Sequence, residues 1–564
     1  MSKIVLISGH ICSGKSKLTG NLSARFCFDV VKTSDVVRDL ARAGGMPMDR
    51  QALQDLGDRL DVDTNGRWVL DAVLRVLENK PNANVVVDAV RISAQVERFR
   101  ERFGPQITHV HLWASEKTLE KRFEERKAQG RESDAFMTYQ RANLNKTESE
   151  VDYLAREADL AVNTERSDVM DTFTRVAARM SLYADLAAPL VDVVVGGQYG
   201  SEGKGQIAAY LAREYDVLVR VGGPNAGHSV RSLTGKYIYH HLPSGSRDSG
   251  GLILIGPGAV INPGGILKEI KECGLTPGRI YIDPQAMVIS PEDVLQEQKT
   301  VVGTISSTGT GTGHALARKI LHRGGSVQIV ARDYPELEPF IGETFEHLEQ
   351  AFALRKRVLL EGTQGAGLSI HHGTYPHVTS RDTNVAGCLA EAGIAPARVG
   401  HVVLVVRTYP IRVADPDSEP ACGLQNVGAS LYDWAFGRGR YEVKRTSGRL
   451  KQELTFAEVA RRAKLDPENV ESAEITSTTK RKRRVGEFEW DQFRKACALN
   501  APTDLAVTFA DYISASNRDA RRYEQLTPET IQWIEELERV AHAPASLIST
   551  RFSERAIIDR RNWS

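Results

Sequence analysis

Residues 196–206 read GGQYGSEGKGQ and follow the apolar run VDVVV at 191–195. A β-branched run that breaks into glycines and returns to a lysine is the pattern of a strand, an anion-cradling turn and the start of a helix. Gly200, Gly203 and Gly205 would bend the backbone around a triphosphate, and Lys204 would neutralise its charge. Ser201 and Glu202 stand side by side inside the turn, with Glu202 expected, like Thr508 far down the chain, to touch the triphosphate. The loop lies mid-chain, although a separate phosphate loop already occupies the N-terminus.

That first loop is GHICSGKS, residues 9–16, which fits GxxxxGK[ST] from Gly9 through Gly14 to Lys15 and Ser16. A strand-like run, KIVLIS, precedes it and a helix-compatible stretch follows. Lys15 would reach the outer phosphates and Ser16 would hold Mg²⁺. VVVD at 85–88 is a second buried strand, ending in Asp88, which either orients Mg²⁺ or its water or caps a helix. Arg91 is a candidate for an acceptor phosphate. Arg122, Arg126 and Arg131 either close over transferred phosphate or form a solvated helix face. Residues 1–183 resemble small P-loop nucleoside-monophosphate kinases and their dephospho-coenzyme-A-kinase relatives. In that resemblance Asp35 would contact the acceptor.

Length and composition frame both loops. The chain has 564 residues, room for two to four domains, and a formal net charge of +1. No global field favours nucleic acid or a membrane surface. Six scattered cysteines without a CxxC pair point to reduced thiols in a cytoplasmic protein. The N-terminus does not read as a signal peptide, and no apolar run approaches the length of a membrane span. The stretch 184–190 carries Pro189 and reads as a linker, leaving 191–564 as one long module. The expected class is α/β throughout: a kinase-like parallel sheet with helices, then a larger, mainly parallel sheet with long loops. LTFAEVARRAKL (454–465) and LTPETIQWIEELERVAHAP (526–544) read as amphipathic scaffold helices.

An ordered set of motifs follows the mid-chain loop: RVGGPNAGH (220–228), HHLPSG (240–245), GTISSTGTGTGHA (303–315), LEGTQGAGLSIHHGTYPHVTS (360–380), TSTTKRKRRVG (476–486), TFAD (508–511) and LIST (547–550). The set resembles adenylosuccinate synthetase and runs through almost all of 191–564. The resemblance implies a ligase that joins aspartate to C6 of a 6-oxopurine nucleotide. The oxygen is first phosphorylated by a nucleoside triphosphate, ATP or GTP, with Mg²⁺, and phosphate is then displaced by the amine. It implies that His228 donates a proton or hydrogen bond to the transferring group, that Gly227 offers a carbonyl to Mg²⁺, and that Gln364 contacts the nucleotide. Asn225, Thr308 and Thr379 would surround the monophosphate, with Arg323 or Arg318 reaching it from a second copy in a homodimer. Thr478, Thr479, Arg481 and Arg483 would hold aspartate. The run 480–484 is five cations and reads alternatively as a nucleic-acid patch, against which stand the near-neutral charge and the lack of interleaved aromatics. His228 reads alternatively as an ordinary loop histidine.

Two departures from the family pattern matter. The family loop carries an Asp-Glu pair, whose aspartate takes the ring N1 proton and binds Mg²⁺, and here that aspartate is Ser201. The change resembles viral relatives that make 2-aminoadenine precursors from dGMP and aspartate. It implies a guanine nucleotide, GMP or dGMP, as the favoured substrate, with an ordinary IMP enzyme as the alternative. The family also reads guanine through Thr-Lys-x-Asp. Here the run is Thr508-Phe509-Ala510-Asp511, which implies relaxed GTP dependence and use of ATP. A non-catalytic nucleotide sensor is the rival class for the whole protein.

Overall fold

A computed structural model describes residues 2–129, 138–140, 150–183, 185–232, 235–324, 329–415, 446–476 and 481–563. The chain divides into two compact units, Met1–Ala184 and Asp185–Ser564.

The first unit is built on β1 (Ile4–Ser8), β2 (Asp29–Lys32), β3 (Val85–Asp88), β4 (Ile107–Trp113) and β5 (Leu160–Asn163). Their order is β2-β3-β1-β4-β5 and every pairing is parallel. Helices cover both faces, so the central strands are apolar at consecutive positions. Ile4, Leu6, Val85 and Val87 enter one core with Phe99, while Val5, Ile7 and Val86 enter the opposite one with Leu18 and Phe173. The phosphate loop leaves the carboxyl end of β1 and runs into helix Lys15–Phe26. It must pass close to β4: at Gly9, with φ of 140°, a Cβ would lie 2.2 Å from the Leu112 carbonyl oxygen.

The second unit carries β6 (Val191–Gly196), β7 (Val217–Arg220), β8 (Leu252–Ile255), β9 (Ile280–Ile282), β10 (Val358–Gly365), β11 (Val399–Arg407), β12 (Asp504–Thr508), β13 (Ala545–Ser549) and β14 (Ile557–Asp559). The nine-stranded order is β9-β8-β7-β10-β6-β11-β12-β13-β14. All pairings are parallel except the last, where β14 runs antiparallel to β13. An antiparallel sheet of Ile411–Val413, Arg483–Gly486 and Glu453–Leu454 follows β11. The late amphipathic segments are helices Phe456–Ala463 and Pro528–Ala541. Residues 185–190, expected as linker, bond into the second unit: the Asp185 carbonyl accepts from Arg398 and the Leu190 carbonyl from the Val358 amide.

Phe99 is fully buried on helix Ser93–Phe103. Phe99→Ala is expected to destabilise the first unit by about 3–5 kcal/mol. Urea unfolding checks this, and an unmoved midpoint would contradict the packing described.

Candidate active site

The second unit's candidate residues gather where the parallel strands end. The loop after β6 is organised by Glu202, which is fully buried. Its Oε1 accepts from the amides of Gln198 and Gly200 at 3.1 and 2.8 Å, and its Oε2 pairs with Lys204 Nζ at 2.6 Å. Thr508 Oγ1, at the end of β12, donates to the Glu202 carbonyl at 2.6 Å. A Cβ on Gly365 would lie 2.1 Å from Glu202 Oε1, so β10 approaches the brace closely. Glu202 and Thr508, expected to touch triphosphate, therefore act inside the loop. Gly200, Gly203, Lys204 and Gly205 line a cavity of about 1420 Å³.

The same cavity is lined by Ser201, Asn225, Gly227, His228, Thr308, Gln364, Thr379, Arg483, Phe509 and Asp511. His228 begins a hairpin strand, His228–Arg231, beyond β7. Its Nδ1 lies 2.5 Å from Glu361 Oε1, and Arg220 Nη1 lies 3.2 Å away. Glu361, on β10, also accepts from the Ser244 amide and Oγ at 2.6 and 2.7 Å. Burial alone would raise the Glu361 carboxyl, but His228, Arg220 and Ser244 hold it down at about 2. Burial and then the Arg220 charge press His228 down to about 4, against the pull of Glu361. The pair is a carboxylate orienting a neutral imidazole, whose Nδ1–H it accepts, with Nε2 left for a ligand. Gln364 Nε2 donates to Thr379 Oγ1 at 2.9 Å, and Gln364 Oε1 is buried and accepts no hydrogen bond from the described residues.

Ser201 is exposed, and Arg483 Nη2 approaches its Oγ at 3.4 Å. Arg483 Nη1 donates to Glu474 at 2.8 Å, and the buried Arg407 donates to the same carboxylate at 2.7 Å and to the Ser201 carbonyl at 3.4 Å. Burial would raise Glu474, yet Arg407 and Arg483 hold it at about 2. The Arg407 guanidinium also lies 4.2 Å from the Phe509 ring centroid. Ser201, Gln364 and Phe509 share an uncommon backbone, with φ of 56°, 63° and 58°.

Several expected residues lie elsewhere. Arg323 is exposed beyond helix Thr312–Leu321 and does not line the cavity, while Arg318 is tied to Asp293 at 2.8 Å. Arg481 does not line it either; its amide donates to Thr476 Oγ1. Thr478, Thr479 and Lys480 lie outside the described residues, as does Arg131. Arg484 of the basic run turns to Asp415 at 2.7 Å and to Glu453, and Arg483 to Glu474, so these two cations serve their own unit's carboxylates.

In the first unit, Lys15 Nζ donates to the carbonyls of Gly9 and His10 at 2.6 and 2.8 Å, folded across its loop. Ser16 Oγ donates to Asp88 Oδ2 at 3.2 Å, placing a hydroxyl and a carboxylate at the loop mouth. Gly14 leads into the helix at φ of 105°. Asp35 pairs with Arg38 on the surface, and the Arg91 amide donates to Gln95. Arg122 spans the loop and the end of β5: its Nη1 donates to the Cys12 carbonyl of the phosphate loop at 3.5 Å and to Thr164 Oγ1 at 2.9 Å, and its Nη2 donates to the Thr164 carbonyl at 2.7 Å. Arg126 is exposed on the same helix. No described helix is long and apolar enough to cross a membrane.

Comparison with known proteins agrees with this geometry. The family model described as adenylosuccinate synthetase matches residues 193–335 and 326–518, more than half of the chain. The chain belongs to the adenylosuccinate synthetase family. The adenylosuccinate synthetase of Thermococcus onnurineus is 32% identical over 378 residues, covering 66% of this chain and 98% of the relative. That of Methanocaldococcus jannaschii is 30% identical, covering 66% and 96%. Among solved structures, the fully ligated adenylosuccinate synthetase of Plasmodium falciparum aligns with a TM-score of 0.54 at 21% identity, over 66% of this chain and all of that one. The cyanophage S-2L succinoaminodeoxyadenylate synthetase, bound to dGMP and to dATP as an energy donor, aligns at 0.51 and 26% identity, over 66% and 96%. An AAA domain model matches residues 5–150. The protein thus joins a P-loop kinase-like unit to an adenylosuccinate-synthetase-type ligase, an enzyme of purine nucleotide and aspartate.

The Glu361 charge raises the affinity of His228 for a proton, so Glu361→Gln is expected to lower the histidine further. Nitrogen-15 NMR of the imidazole checks this: the wild-type ring begins to protonate only near pH 4, and the variant ring at still lower pH. Protonation of the wild-type ring near its ordinary value of about 6.5 would contradict the coupling.

Proposed function

We propose that residues 185–564 condense L-aspartate with inosine 5′-monophosphate at the expense of a nucleoside triphosphate, through a 6-phosphoryl intermediate. The observation that carries this reading is that His228, held from behind by Glu361, lines the same cavity as the glycine loop. A carbonyl oxygen is a poor leaving group. Its attack on the γ-phosphorus breaks the bond to the outgoing nucleoside diphosphate while the N1 proton passes to His228 Nε2. Attack of the aspartate amine then forms the N–C6 bond, and phosphate leaves with the oxygen. His228 Nε2, an acceptor while the proton sits on Nδ1, is assigned to take the N1 proton and, as an imidazolium held by Glu361, to donate to the 6-oxygen and the transferring phosphoryl group. Lys204 neutralises triphosphate charge, Gln364 and Thr379 fix the nucleotide, and Arg483 faces the aspartate carboxylates. Asn225 and Thr308 flank the monophosphate, and Arg323 is assigned to the site of a second copy in a homodimer.

Ser201 and Gly227 line the cavity as oxygen donors suited to Mg²⁺, and no three acidic, histidine or cysteine side chains converge among the described residues. Such a site fits Mg²⁺ carried mainly by phosphate and water. When bound, the ion screens the triphosphate charge. In the first unit Ser16 and Asp88 form the corresponding pair, and with Lys15 they support a nucleotide kinase reaction.

A second reading has its own observation. Ser201 presents a hydroxyl beside Arg483 where the family places a carboxylate, which leaves space and an acceptor for a purine 2-amino group. That reading makes dGMP or GMP the substrate. Supplying the full-length protein with aspartate, ATP and IMP, GMP or dGMP separately, and weighing the succinylated product, tests both. Product from IMP at least about tenfold faster than from dGMP supports the first reading, the reverse order the second, and no product overturns both. His228→Asn is expected to lower kcat by about 10²–10⁴ with little change in KM. An unchanged kcat would remove His228 from the chemistry.

A further inference from the structure

Ser201 stands where the family loop carries a carboxylate, and its surroundings give the hydroxyl a direction. Its backbone is left-handed, with φ of 56°, and its carbonyl accepts from Arg407 Nη1 at 3.4 Å. Arg407 is fully buried and packed on Phe509 of the parallel Phe509–Phe552 pair, so the carbonyl is held from inside the fold. The side chain is thereby turned toward Arg483, whose Nη2 reaches Ser201 Oγ at 3.4 Å. Both residues line the cavity.

Arg483 is itself aimed. Glu474 Oε2 takes its Nη1 at 2.8 Å, while Glu474 Oε1 takes Arg407 Nη2 at 2.7 Å and the Tyr512 hydroxyl at 2.8 Å. Glu474 is 3% exposed, so this clamp works from within the cavity wall. The chain leading to Arg483 is closed on itself: the Thr476 amide donates to the Arg481 carbonyl, and the Arg481 amide to Thr476 Oγ1, both at 2.9 Å. With Nη1 taken, the guanidinium turns its other edge, Nε and Nη2, away from Glu474. Nε is buried and meets no acceptor among the described residues. The Nη2 contact to Ser201 is long enough to be given up readily. A buried donor is costly to leave without an acceptor. The Nε–Nη2 edge is also the fork that grips a carboxylate through two parallel hydrogen bonds.

We propose that Ser201 completes this fork: Arg483 Nε and Nη2 grip one carboxylate of aspartate, and the Ser201 hydroxyl donates a third hydrogen bond to it. This rests on the reading of the cavity as an aspartate-dependent ligase site. A hydroxyl carries one donor and two lone pairs, so giving its proton to a carboxylate leaves a lone pair for a cation or its water. A carboxylate at position 201 has no proton to give when ionised, and it would compete with the substrate for the same guanidinium. The exchange of carboxylate for hydroxyl therefore moves residue 201 from the purine to the amine substrate. It also leaves the N1 proton to another group, in keeping with His228 Nε2 as its acceptor.

The test uses the full-length protein with saturating ATP or GTP, whichever of IMP, GMP and dGMP gives product, and varied L-aspartate. Ser201→Ala removes the hydroxyl. Ser201→Gly removes it too and suits the left-handed backbone, which separates the missing donor from a shifted loop. Both variants are expected to raise the KM for aspartate about tenfold or more, the worth of a hydrogen bond to a charged group. In both, kcat and the nucleotide KM are expected to change little. An aspartate KM that stays put in either variant overturns the proposal and leaves the ligase reading standing. A nucleotide KM that rises in its place also overturns it and returns Ser201 to the purine. A fall in kcat with the aspartate KM intact overturns it as well and places Ser201 in the chemistry. No product from the unaltered protein with any of the three nucleotides and either donor overturns the ligase reading and the proposal with it.

Discussion

The site hangs on one buried carboxylate. Glu202 holds the turn after β6 from within, taking the amides of Gln198 and Gly200 on one oxygen and Lys204 on the other. Its cost in desolvation is offset because every strong partner is a main-chain donor or a cation within the same loop. Two neighbouring strands are fitted to it: β10 comes close enough that Gly365 has no room for a Cβ, and β12 pins its carbonyl through Thr508. The loop's shape is therefore a property of three central strands. Glycine-rich composition alone would leave the turn free to sample many conformations.

A second tier links the loop to the far side of the cavity. Arg407 at the end of β11 touches the Ser201 carbonyl, the Glu474 carboxylate and the Phe509 ring, and Glu474 passes the link to Arg483 on the antiparallel sheet. One fully buried guanidinium thereby fixes the spacing between the phosphate loop, the cationic strand and the aromatic pair. Such a cation is tolerated inside because Glu474 and the face of an aromatic ring share its charge.

The fold class and most of the cavity were legible in the sequence because phosphate loops demand particular backbone chemistry at fixed offsets. The runs at 4–8 and 191–196 read as buried strands, and they are. His228 stood out by its glycine-rich setting. Glu361 did not, although a lone acid within VLLEG is a signal: an acid in an otherwise buried strand implies a partner. Arg407 and Glu474 are 67 residues apart, and no local pattern joins them. Arg122 and Arg126 read alike because helical spacing places them together without saying which turns inward; Arg122 does, toward the loop carbonyl of Cys12 and Thr164, while Arg126 is exposed. Thr508 was read as a triphosphate contact by its position in TFAD, whereas the strand end turns its hydroxyl back to the loop. Of the two arginines assigned to aspartate, Arg483 opens a strand and lines the cavity, whereas Arg481 precedes the strand and does not.

Ser201, Gln364 and Phe509, among the cavity residues, hold left-handed backbone conformations that side chains with a Cβ adopt at a cost of about 1–3 kcal/mol each. Glycine would relax every one of them. Selection of this protein for heat resistance alone would thus find stabilising changes inside its own cavity, removing the hydroxyl beside Arg483, the amide on Thr379 and the ring over Arg407. Some of the places where the chain gains stability by mutation are thus places where the ligand site is made, so thermal stability is a misleading guide to which variants of this enzyme to keep.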